Sequence, residues 1–314
     1  MANQTIRTPN FFQKTLVELL GYMFRYGIDR GRGVLLKSLF PNGSFFEYDF
    51  TINNLGKPYA GNLKFGIDHH IFFFQFYEKY ITQVLQFAAT YLSSQKIAVN
   101  FLDVGANVGS HSHFMLDFAD SVHSFEPYPE IFRSLEAKCK QHKNPSFHIY
   151  QFGLGAEDNE LEYYKPDSWA WGSGTGSFVS DCTGNETTPI LLQIRQGDKF
   201  VTENGINPVS LIKIDVEGFE PFVLQGLAQT LRKDRPIIIM EMSAMTRKTI
   251  AEANLSLSSI LYDDVELFQI EPINKRGKFK LEKKSFETLS NNHHDLLVVP
   301  QEHVNGLLEH IPQW

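Results

Sequence analysis

The sequence predicts an α/β fold built on a mostly parallel sheet that is covered by helices on both faces. One observation is the alternation of short, nearly continuous apolar segments, such as AVNFLDV, SLIKIDV and PIIIMEMS, with segments of helical periodicity. Strands that are apolar along their whole length are buried on both faces, which is typical of parallel sheets. A second observation is the turn DVGANVG, which ends the first of these strands and precedes a helix. The 314 residues are enough for one large core with an accessory segment.

Residues 1–95 are predicted to form that accessory segment, and residues 96–314 the main domain. Apolar positions at helical spacing between residues 12 and 24 predict an amphipathic helix. Such a helix usually packs on the rest of the protein, although flanking basic residues leave contact with a membrane surface as the alternative. FFEYDFTINN and PYAGNLKFG predict a hairpin or short strands, and a further helix is expected over about residues 74 to 92. We expect the segment to cap the substrate or to contact a second subunit.

The main domain is predicted to contain five strands with helices between them, followed by a more antiparallel region. In chain order the strands are AVNFLDV, SVHSFEP, FHIYQFGLG, SLIKIDV and PIIIMEMS. One helix is predicted directly after the glycine turn, and two others are predicted for IFRSLEAKCKQ and FEPFVLQGLAQTLRK. After about residue 260, VELFQI, KFKLEKK and HDLLVVP predict strands joined by short turns, which suits an antiparallel edge of the sheet. Ligands of such sheets bind at the carboxyl ends of the parallel strands.

Composition argues against several classes of protein. Lys and Arg number 29 against 36 Asp and Glu, and the formal net charge of -7 provides no overall basic field to attract nucleic acid. Neither Cys139 nor Cys182 has the spacing of a zinc site or of a disulfide framework. The N-terminus lacks the pattern of a secretory signal, and the apolar run IFFFQFY is far shorter than the roughly 20 residues needed to span a bilayer. We therefore expect a soluble, cytoplasmic protein.

The turn DVGANVG can be compared with GxGxxG, the fingerprint of a dinucleotide site. If Gly105 is aligned with the first glycine, Asn107 stands where the second should be. That second glycine lets the backbone approach the pyrophosphate, so the match to a dinucleotide is poor. A purely structural interpretation also exists, in which Gly105 and Gly109 permit a tight turn and Asp103 caps the helix.

S-adenosylmethionine carries an amino acid, a sulfonium and a ribose but no phosphate, and the turn suits these groups. Asp103 can accept hydrogen bonds from the ligand ammonium, and the small residues Gly105 and Ala106 leave room beside the backbone. Glu126, at the end of the second strand, can accept from both ribose hydroxyls. An acidic residue at that position also serves nicotinamide cofactors, so the pair of Asp103 and Glu126 is more informative than either residue.

A second motif, KIDVEGFE, places Asp215 and Glu217 near the carboxyl end of the fourth strand. A methyl acceptor must lie near the sulfonium, and a hydroxyl acceptor benefits from a base that takes its proton. Asp215 or Glu217 could be that base, and His111 is an alternative that titrates near neutral pH. Asp215, Glu217 and Glu241 could instead hold a divalent cation. We do not expect that metal, because Lys213 nearby would neutralise one of the carboxylates.

In their order and spacing, LDVGANVGSHSHF, SFEPYPEIFRSLE, LIKIDVEGFEPFVLQGL and RPIIIMEMS resemble the FkbM family of S-adenosylmethionine-dependent methyltransferases. The resemblance runs from about Ala98 to Ser243, and KIDVEGFE is its most family-specific part. It implies a class I methyltransferase (Rossmann-like) fold, a three-layer sandwich whose seven-stranded, mostly parallel sheet has an antiparallel last strand. It also implies O-methylation of hydroxyl groups on natural products, sugars or glycans.

The resemblance further implies which residues lie on the cofactor. These are Asp103, Gly105, Asn107, Gly109 and Glu126, and their neighbours Ala106, Ser110 and Pro127 are predicted to join them. The motifs do not identify an acidic residue that contacts the adenine, for which Glu157 and Asp158 after the third strand are candidates.

The long segment of residues 163–189 contains Trp169 and Trp171. A lid that presents a tryptophan to a sugar is one interpretation, and an ordinary surface loop is the other. The predicted function is methylation of a small-molecule or glycan acceptor. The alternatives are a nicotinamide-dependent oxidoreductase, which Asn107 disfavours, and a methyltransferase-like scaffold that binds without turnover. Association into a homo-oligomer is left open.

Overall fold

The structure, a computed structural model, describes residues 8–27, 31–39, 47–163, 189–274, 276–289 and 292–312. The predicted lid tryptophans, Trp169 and Trp171, and also Cys182, lie outside these residues. Within them, the chain before the main domain forms four helices and one hairpin. In chain order these elements are α1 (Phe11–Tyr26), α2 (Arg32–Leu39), β1 (Asp49–Asn54), β2 (Lys57–Asn62), α3 (Gly66–Phe74) and α4 (Lys79–Ser94).

The main domain alternates strands and helices, as the apolar pattern predicts. Its first part consists of β3 (Asn100–Val104), α5 (Ser110–Met115), β4 (Ser121–Phe125), α6 (Pro129–His142), β5 (Phe147–Tyr150), β6 (Gly153–Gly155), β7 (Asn159–Tyr163), β8 (Ile190–Gln196) and α7 (Gly197–Glu203). Its second part consists of β9 (Leu211–Ile214), α8 (Glu220–Gly226), α9 (Ala228–Asp234), β10 (Ile237–Met242), α10 (Ala244–Glu252), α11 (Leu257–Ile260), β11 (Val265–Pro272), β12 (Phe279–Lys284), β13 (His294–Pro300) and α12 (Gln301–His310).

The main sheet has the strand order β12-β11-β13-β10-β9-β3-β4-β5 in the described part of the chain. Strands β10, β9, β3, β4 and β5 are parallel neighbours, while β13 lies antiparallel between β10 and β11. This order, with the last strand β13 inserted antiparallel beside the parallel strand β10, confirms the predicted class I methyltransferase fold. The sheet has eight strands in the described part of the chain, one more than the seven that the family resemblance implies. KFKLEKK, which the sequence predicts as a strand, forms β12 and pairs with β11 at the edge.

The predicted third strand FHIYQFGLG is two strands that belong to different sheets. Strand β5 ends the main sheet at Tyr150, whereas β6 pairs with β8 in a separate three-stranded sheet of order β6-β8-β7. The close packing of β6 on β8 favours glycine, since a Cβ on Gly153 or Gly155 would stand 2.8 or 2.6 Å from side-chain carbons of Ile194. The sequence pattern alone did not predict β8, whose partner strands are short.

The predicted helix FEPFVLQGLAQTLRK is also divided, into α8 and α9, with Leu227 between them. Gly226, the last residue of α8, packs directly on the three-stranded sheet β6-β8-β7. A Cβ at this position would stand 1.8 Å from the carbonyl oxygen of Gly155. The close backbone contact therefore requires glycine at this position.

The core consists of two apolar clusters on opposite faces of the main sheet. Alternate residues of β9 contribute to each, with Ile212 and Ile214 in one and Leu211 in the other. Helices α7 and α8 cover the first face. Helices α4 and α12 cover the second, so α4 packs on the main sheet although it precedes residue 96. The division at residue 95 stays a prediction.

A third apolar cluster joins α1, the β1–β2 hairpin and α3. Helix α1 begins after the capping residue Asn10 and buries Val17, Leu20 and Phe24. Phe11, Phe12, Leu16 and Leu19 of the same helix are exposed, so only part of the apolar stripe is covered. Among the described residues, no helix combines the length and the apolar content needed to cross a bilayer.

A buried carboxylate connects this third cluster to the main domain. Asp68 of α3 accepts hydrogen bonds from the Tyr59 hydroxyl at 2.6 Å and from the backbone N–H of Asn62 at 2.8 Å. It also forms an ion pair with Lys138 of α6 at 3.1 Å, and neither charged side chain is exposed. Buried charges require such partners, so α3 is fixed against α6 at this position.

Candidate functional site

The glycine turn after β3 lies directly against the turn after β9. A Cβ on Gly105 would stand 1.9 Å from the carbonyl oxygen of Asp215, and the φ angle of Gly105 is +79°. The backbone N–H groups of Gly105 and Ala106 donate to the carbonyl of Phe125 at 3.1 and 3.0 Å, and that of Asp215 donates to Val104 at 3.0 Å. Three neighbouring strands are therefore joined at their carboxyl ends.

Asn107 and Gly109 complete the turn in left-handed conformations, with φ angles of +52° and +81°. Asparagine tolerates this conformation better than most residues. Gly109 precedes α5, and a Cβ there would stand 2.5 Å from a methyl carbon of Leu135 on α6. The left-handed backbone thus favours Asn at position 107, and the backbone together with the contact to Leu135 favours Gly at position 109. For Gly109 this agrees with the interpretation that the glycine permits a tight turn.

Asp103, near the end of β3, is only 1% exposed. Its Oδ2 accepts a hydrogen bond from Ser112 of α5, which also contacts the hydroxyl of Ser124 at 2.7 Å. Its Oδ1 is buried and has no partner among the described residues. Because buried carboxylate oxygens are nearly always hydrogen-bonded, Oδ1 is an acceptor whose hydrogen bond is not supplied by the described residues. Ser110, in the first turn of α5, is also buried.

Glu126 follows β4 and connects its end to the glycine turn. Its Oε1 accepts from the backbone N–H of Tyr128 at 2.8 Å, and its Oε2 from that of Asn107 at 3.1 Å. Burial raises the pKa of Glu126 to about 7, although these two hydrogen bonds oppose the shift. Each oxygen retains a lone pair for a further donor. Pro127 beside it is partly buried.

The second motif contains an ion pair between the buried Lys213 Nζ and the half-buried Asp215 Oδ2, at 2.9 Å. Burial alone would lower the pKa of Lys213, but the charges of Asp215, Asp103 and Glu78 outweigh it and the pKa is raised. For Asp215, burial would raise the pKa, and Lys213 more than offsets it, so the pKa is lowered. The carboxylate of Asp215 is 32% exposed and therefore reachable from solvent.

The other two carboxylates of this motif have different environments. Glu217 is half-buried and has a left-handed backbone, with φ +51°. Glu220 is fully buried and accepts from the backbone N–H groups of Val216 at 3.0 Å and Gly218 at 3.2 Å and from the Thr246 hydroxyl at 2.8 Å. Burial raises the pKa of Glu220 to about 7. Glu220 therefore holds the turn that presents Asp215 and Glu217.

His111 of α5 lies beside this pair and contacts a residue that the sequence did not single out, Glu78. The distance from His111 Nε2 to Glu78 Oε2 is 3.4 Å. Burial, followed by the charge of Lys213, lowers the pKa of His111 to about 4. No local pattern marks Glu78, which precedes α4 with a φ angle of +42°. Its proximity depends on how α4 packs beside α5.

Two more carboxylates lie close enough to influence these groups. Asp295 of β13 accepts from the Tyr80 hydroxyl at 2.8 Å, and burial with the charge of Glu78 raises its pKa to about 7. Glu241 of β10 lies 3.5 Å from His293, and burial together with the charges of Asp215 and Glu217 raises its pKa to about 10. The site is thus rich in acidic groups that repel one another.

The structure brings together most of the residues that the sequence predicted for the site. The turn residues, Asp103 and Glu126 meet at the ends of β3 and β4, and His111 and Asp215 lie around Lys213. Glu217 is within electrostatic range of Tyr77 and Glu241. In the part of the chain that the structure describes, no group of three or more His, Cys, Asp or Glu residues is arranged to hold a metal ion. The two candidates for an acidic residue at the adenine have different environments. Asp158 forms an ion pair with Lys199 at 2.6 Å and accepts a hydrogen bond from the backbone N–H of Gln196, and Glu157 is exposed.

The sequence is similar to those of known methyltransferases. The model of a family described as "Methyltransferase FkbM domain" matches residues 103–281, more than half of the chain. A hexuronic acid methyltransferase, AglP, of Haloferax volcanii is 26% identical over 159 residues, which cover 49% of this chain and 62% of that protein. A protein named methyltransferase 1 of Beauveria bassiana is 26% identical over 142 residues, covering 40% and 57%.

A crystal structure of an FkbM methyltransferase from Methylobacillus flagellatus has a TM-score of 0.39 and 13% identity. The superposition covers 64% of this chain and 43% of that one. This chain spans about three fifths of the length of the two curated relatives that it matches.

Proposed function

The chain belongs to the FkbM family of methyltransferases, and from this premise we propose that it uses S-adenosylmethionine to methylate a hydroxyl group of a sugar, glycan or secondary metabolite. The observation that carries the proposal is the buried, unpartnered Oδ1 of Asp103 beside the glycine turn, with Glu126 at the end of the next strand. A small cationic ligand with a ribose matches this pair of carboxylates.

The residues of the turn fit the cofactor as follows. Oδ1 of Asp103 would accept a hydrogen bond from the ligand ammonium, which would satisfy a buried acceptor. The free lone pairs of Glu126 would accept from the ribose hydroxyls. Gly105, Ala106, Asn107, Gly109 and Ser110 would line the amino acid portion, and Pro127 the ribose. When bound, the cofactor supplies an electrophilic methyl group.

The acceptor would lie over the ends of β9 and β10. There the exposed part of Asp215, together with Glu217, would accept hydrogen bonds from acceptor hydroxyls and orient one of them for reaction. Lys213 would hold Asp215 in place through their ion pair. The choice of a sugar acceptor is supported by the name of the Haloferax volcanii relative, a hexuronic acid methyltransferase. A divalent cation is not part of the proposal.

We also propose that residues 1–95 are an accessory segment of this enzyme. The support is that the segment contributes Glu78 to the site and is fixed to α6 by the Asp68–Lys138 ion pair. The cytoplasmic location, the lack of a nucleic acid partner and the oligomeric state stay predictions.

Calorimetry with S-adenosylmethionine, S-adenosylhomocysteine and NAD tests the proposal directly. We expect the two methionine-derived ligands to bind at micromolar concentrations, NAD not to bind, and Glu126→Ala to lose binding. A matched control is Glu136→Ala, because Glu136 is a partly exposed residue of α6 that forms an ion pair with Lys140 at 2.8 Å. Binding of NAD alone would indicate an oxidoreductase, and no binding at all would indicate a scaffold without turnover.

A further inference from the structure

We propose that Glu78, which precedes the main domain in the chain, is the proton acceptor for the hydroxyl group that becomes methylated. His111 is the positioning residue that holds the Glu78 carboxylate. This inference rests on the proposed function and adds to it the identity of the base and a role for the N-terminal segment.

The placement of Glu78 makes the carboxylate part of the acceptor site. Helix α4 packs on the main sheet, and Glu78, directly before it, is within electrostatic range of Asp215 at the carboxyl end of β9. From there the Glu78 carboxylate reaches His111 of α5 at 3.4 Å. Tyr77, which precedes α4, shares a hydrogen bond with the same carboxylate. The carboxylate is also within electrostatic range of groups from α4, from β9 and the residue after it, and from the region of β13. These groups are Tyr80, Lys213, Asp215, His293 and Asp295.

Access separates Glu78 from His111. The side chain of Glu78 is 30% exposed, whereas that of His111 is 7% exposed. The other ring nitrogen of His111, Nδ1, is buried and has no partner among the described residues. A hydroxyl group entering from solvent can therefore reach the carboxylate but not this nitrogen. Nε2 is the ring nitrogen that faces Glu78, and in the tautomer with its proton on Nε2 His111 donates to the carboxylate.

Basicity separates Glu78 from Asp215. A general base is most effective when its pKa lies near the working pH. Burial and the charge of Asp215 raise the pKa of Glu78 to about 7, against the opposing charge of Lys213. The ion pair with Lys213 lowers the pKa of Asp215, which makes Asp215 a weaker base. His111, with its pKa lowered to about 4, is uncharged at neutral pH and remains a hydrogen-bond donor.

The step balances without any further reactant beyond the methyl donor. The hydroxyl proton moves to the Glu78 carboxylate, and the electron pair of the O–H bond remains on the oxygen. That oxygen bonds to the methyl carbon as the C–S bond breaks, and the electron pair of the C–S bond moves to sulfur. The carboxyl group later releases the proton to solvent, to which it is exposed.

The test compares Glu78→Gln with the wild type and with Glu252→Gln, a control on the exposed surface of α10. Methyl transfer from S-adenosylmethionine is measured against pH, with methyl glycosides of neutral hexoses as acceptor probes. Donor affinity is measured separately by calorimetry. We expect Glu78→Gln to lose about 100-fold or more in kcat and to lose the acidic limb of the pH profile. Its affinity for the donor should stay within about twofold of the wild type, because the base acts on the acceptor hydroxyl and does not contact the donor.

A second measurement does not depend on the acceptor. In protein with isotope-labelled glutamate, infrared difference spectra should show a carboxyl group that titrates near pH 7 and is absent from Glu78→Gln. A Glu78 carboxyl that titrates below about pH 5, like an ordinary glutamate, would overturn the inference. So would a Glu78→Gln variant that keeps its kcat and pH profile. In contrast, a wild type that does not bind S-adenosylmethionine would contradict the proposed function itself.

Discussion

Gly105 and Asp215 lie so close that a single methyl group on Gly105 would stand 1.9 Å from the Asp215 carbonyl oxygen. The two motifs that are separated in the sequence are thus in backbone contact. This contact sets the position of the Asp215 side chain relative to the glycine turn.

Gly105→Ala should lower the free energy of unfolding by about 2–4 kcal/mol, because it combines overpacking with a left-handed alanine. Chemical denaturation measures this loss. Gly205→Ala is the matched control, since Gly205 also has a positive φ angle, +64°, but has no atom within 4 Å of an added Cβ. The control should lose only about 1–2 kcal/mol from backbone conformation. Equal losses in both variants would contradict the close contact.

Asp103→Asn should weaken the binding of S-adenosylmethionine by about 10- to 100-fold. A hydrogen bond to a charged group contributes about 1.5–3 kcal/mol, and each 1.4 kcal/mol is about tenfold in affinity. Calorimetry measures the change, and Asp263→Asn, at an exposed position before β11, is the control. If both variants bind like the wild type, Asp103 does not hold the ligand ammonium.

Glu220→Gln should change how stability depends on pH. Burial raises the pKa of Glu220 from its ordinary 4.5 to about 7 in the folded protein. Between these values the folded state binds the proton more tightly than the unfolded state, so the free energy of unfolding falls as the pH rises. The free energy of unfolding lost through this group is at most roughly 3 kcal/mol, and the loss is complete above pH 7.

Glutamine keeps the hydrogen bonds of Glu220, because its carbonyl accepts from Val216 and Gly218 and its amide can donate to Thr246. The variant should therefore lose less stability than the wild type between pH 4.5 and 7. Denaturation at a series of pH values tests this. Parallel curves for the two proteins would show that Glu220 does not titrate in this range.

Asp68→Asn should destabilise the protein by about 3–5 kcal/mol, because it leaves Lys138 buried without its carboxylate. Thermal or chemical denaturation provides the measurement. Glu136→Gln removes only the exposed pair with Lys140, and should cost less than about 1 kcal/mol. The double variant Asp68→Asn/Lys138→Met should recover part of the loss. An Asp68→Asn protein as stable as the control would mean that this ion pair does not hold α3 against α6.

Acceptor charge should affect methylation. Glu78, Asp215, Glu241 and Asp295 influence one another's pKa, and Lys213, the cation among them, is already paired with Asp215. We expect a neutral hexose glycoside to have a kcat/KM about tenfold or more above that of the matching uronate, with the difference shrinking as salt is added. A preference for the uronate would place the acceptor away from these carboxylates.

The sequence by itself determined the parallel sheet, the antiparallel last strand, the glycine turn and the meeting of Asp103 with Glu126. Each depends on local information: strands apolar on both faces, turn residues such as Gly105 and Gly109, and the rule that parallel strands end at one edge. The family-specific motif KIDVEGFE added Asp215 and Glu217. These features are written in short windows of the chain.

Only the tertiary structure decided the rest of the site. Glu78 and Asp295 come from distant parts of the chain, and their place beside Lys213 depends on how α4 and β13 pack against the sheet. The structure also divided the carboxylates of KIDVEGFE by role, since Glu220 is buried in the turn while Asp215 remains reachable. Burial and mutual charge shift the pKa of each group, and both depend on packing between distant segments, which no local pattern contains.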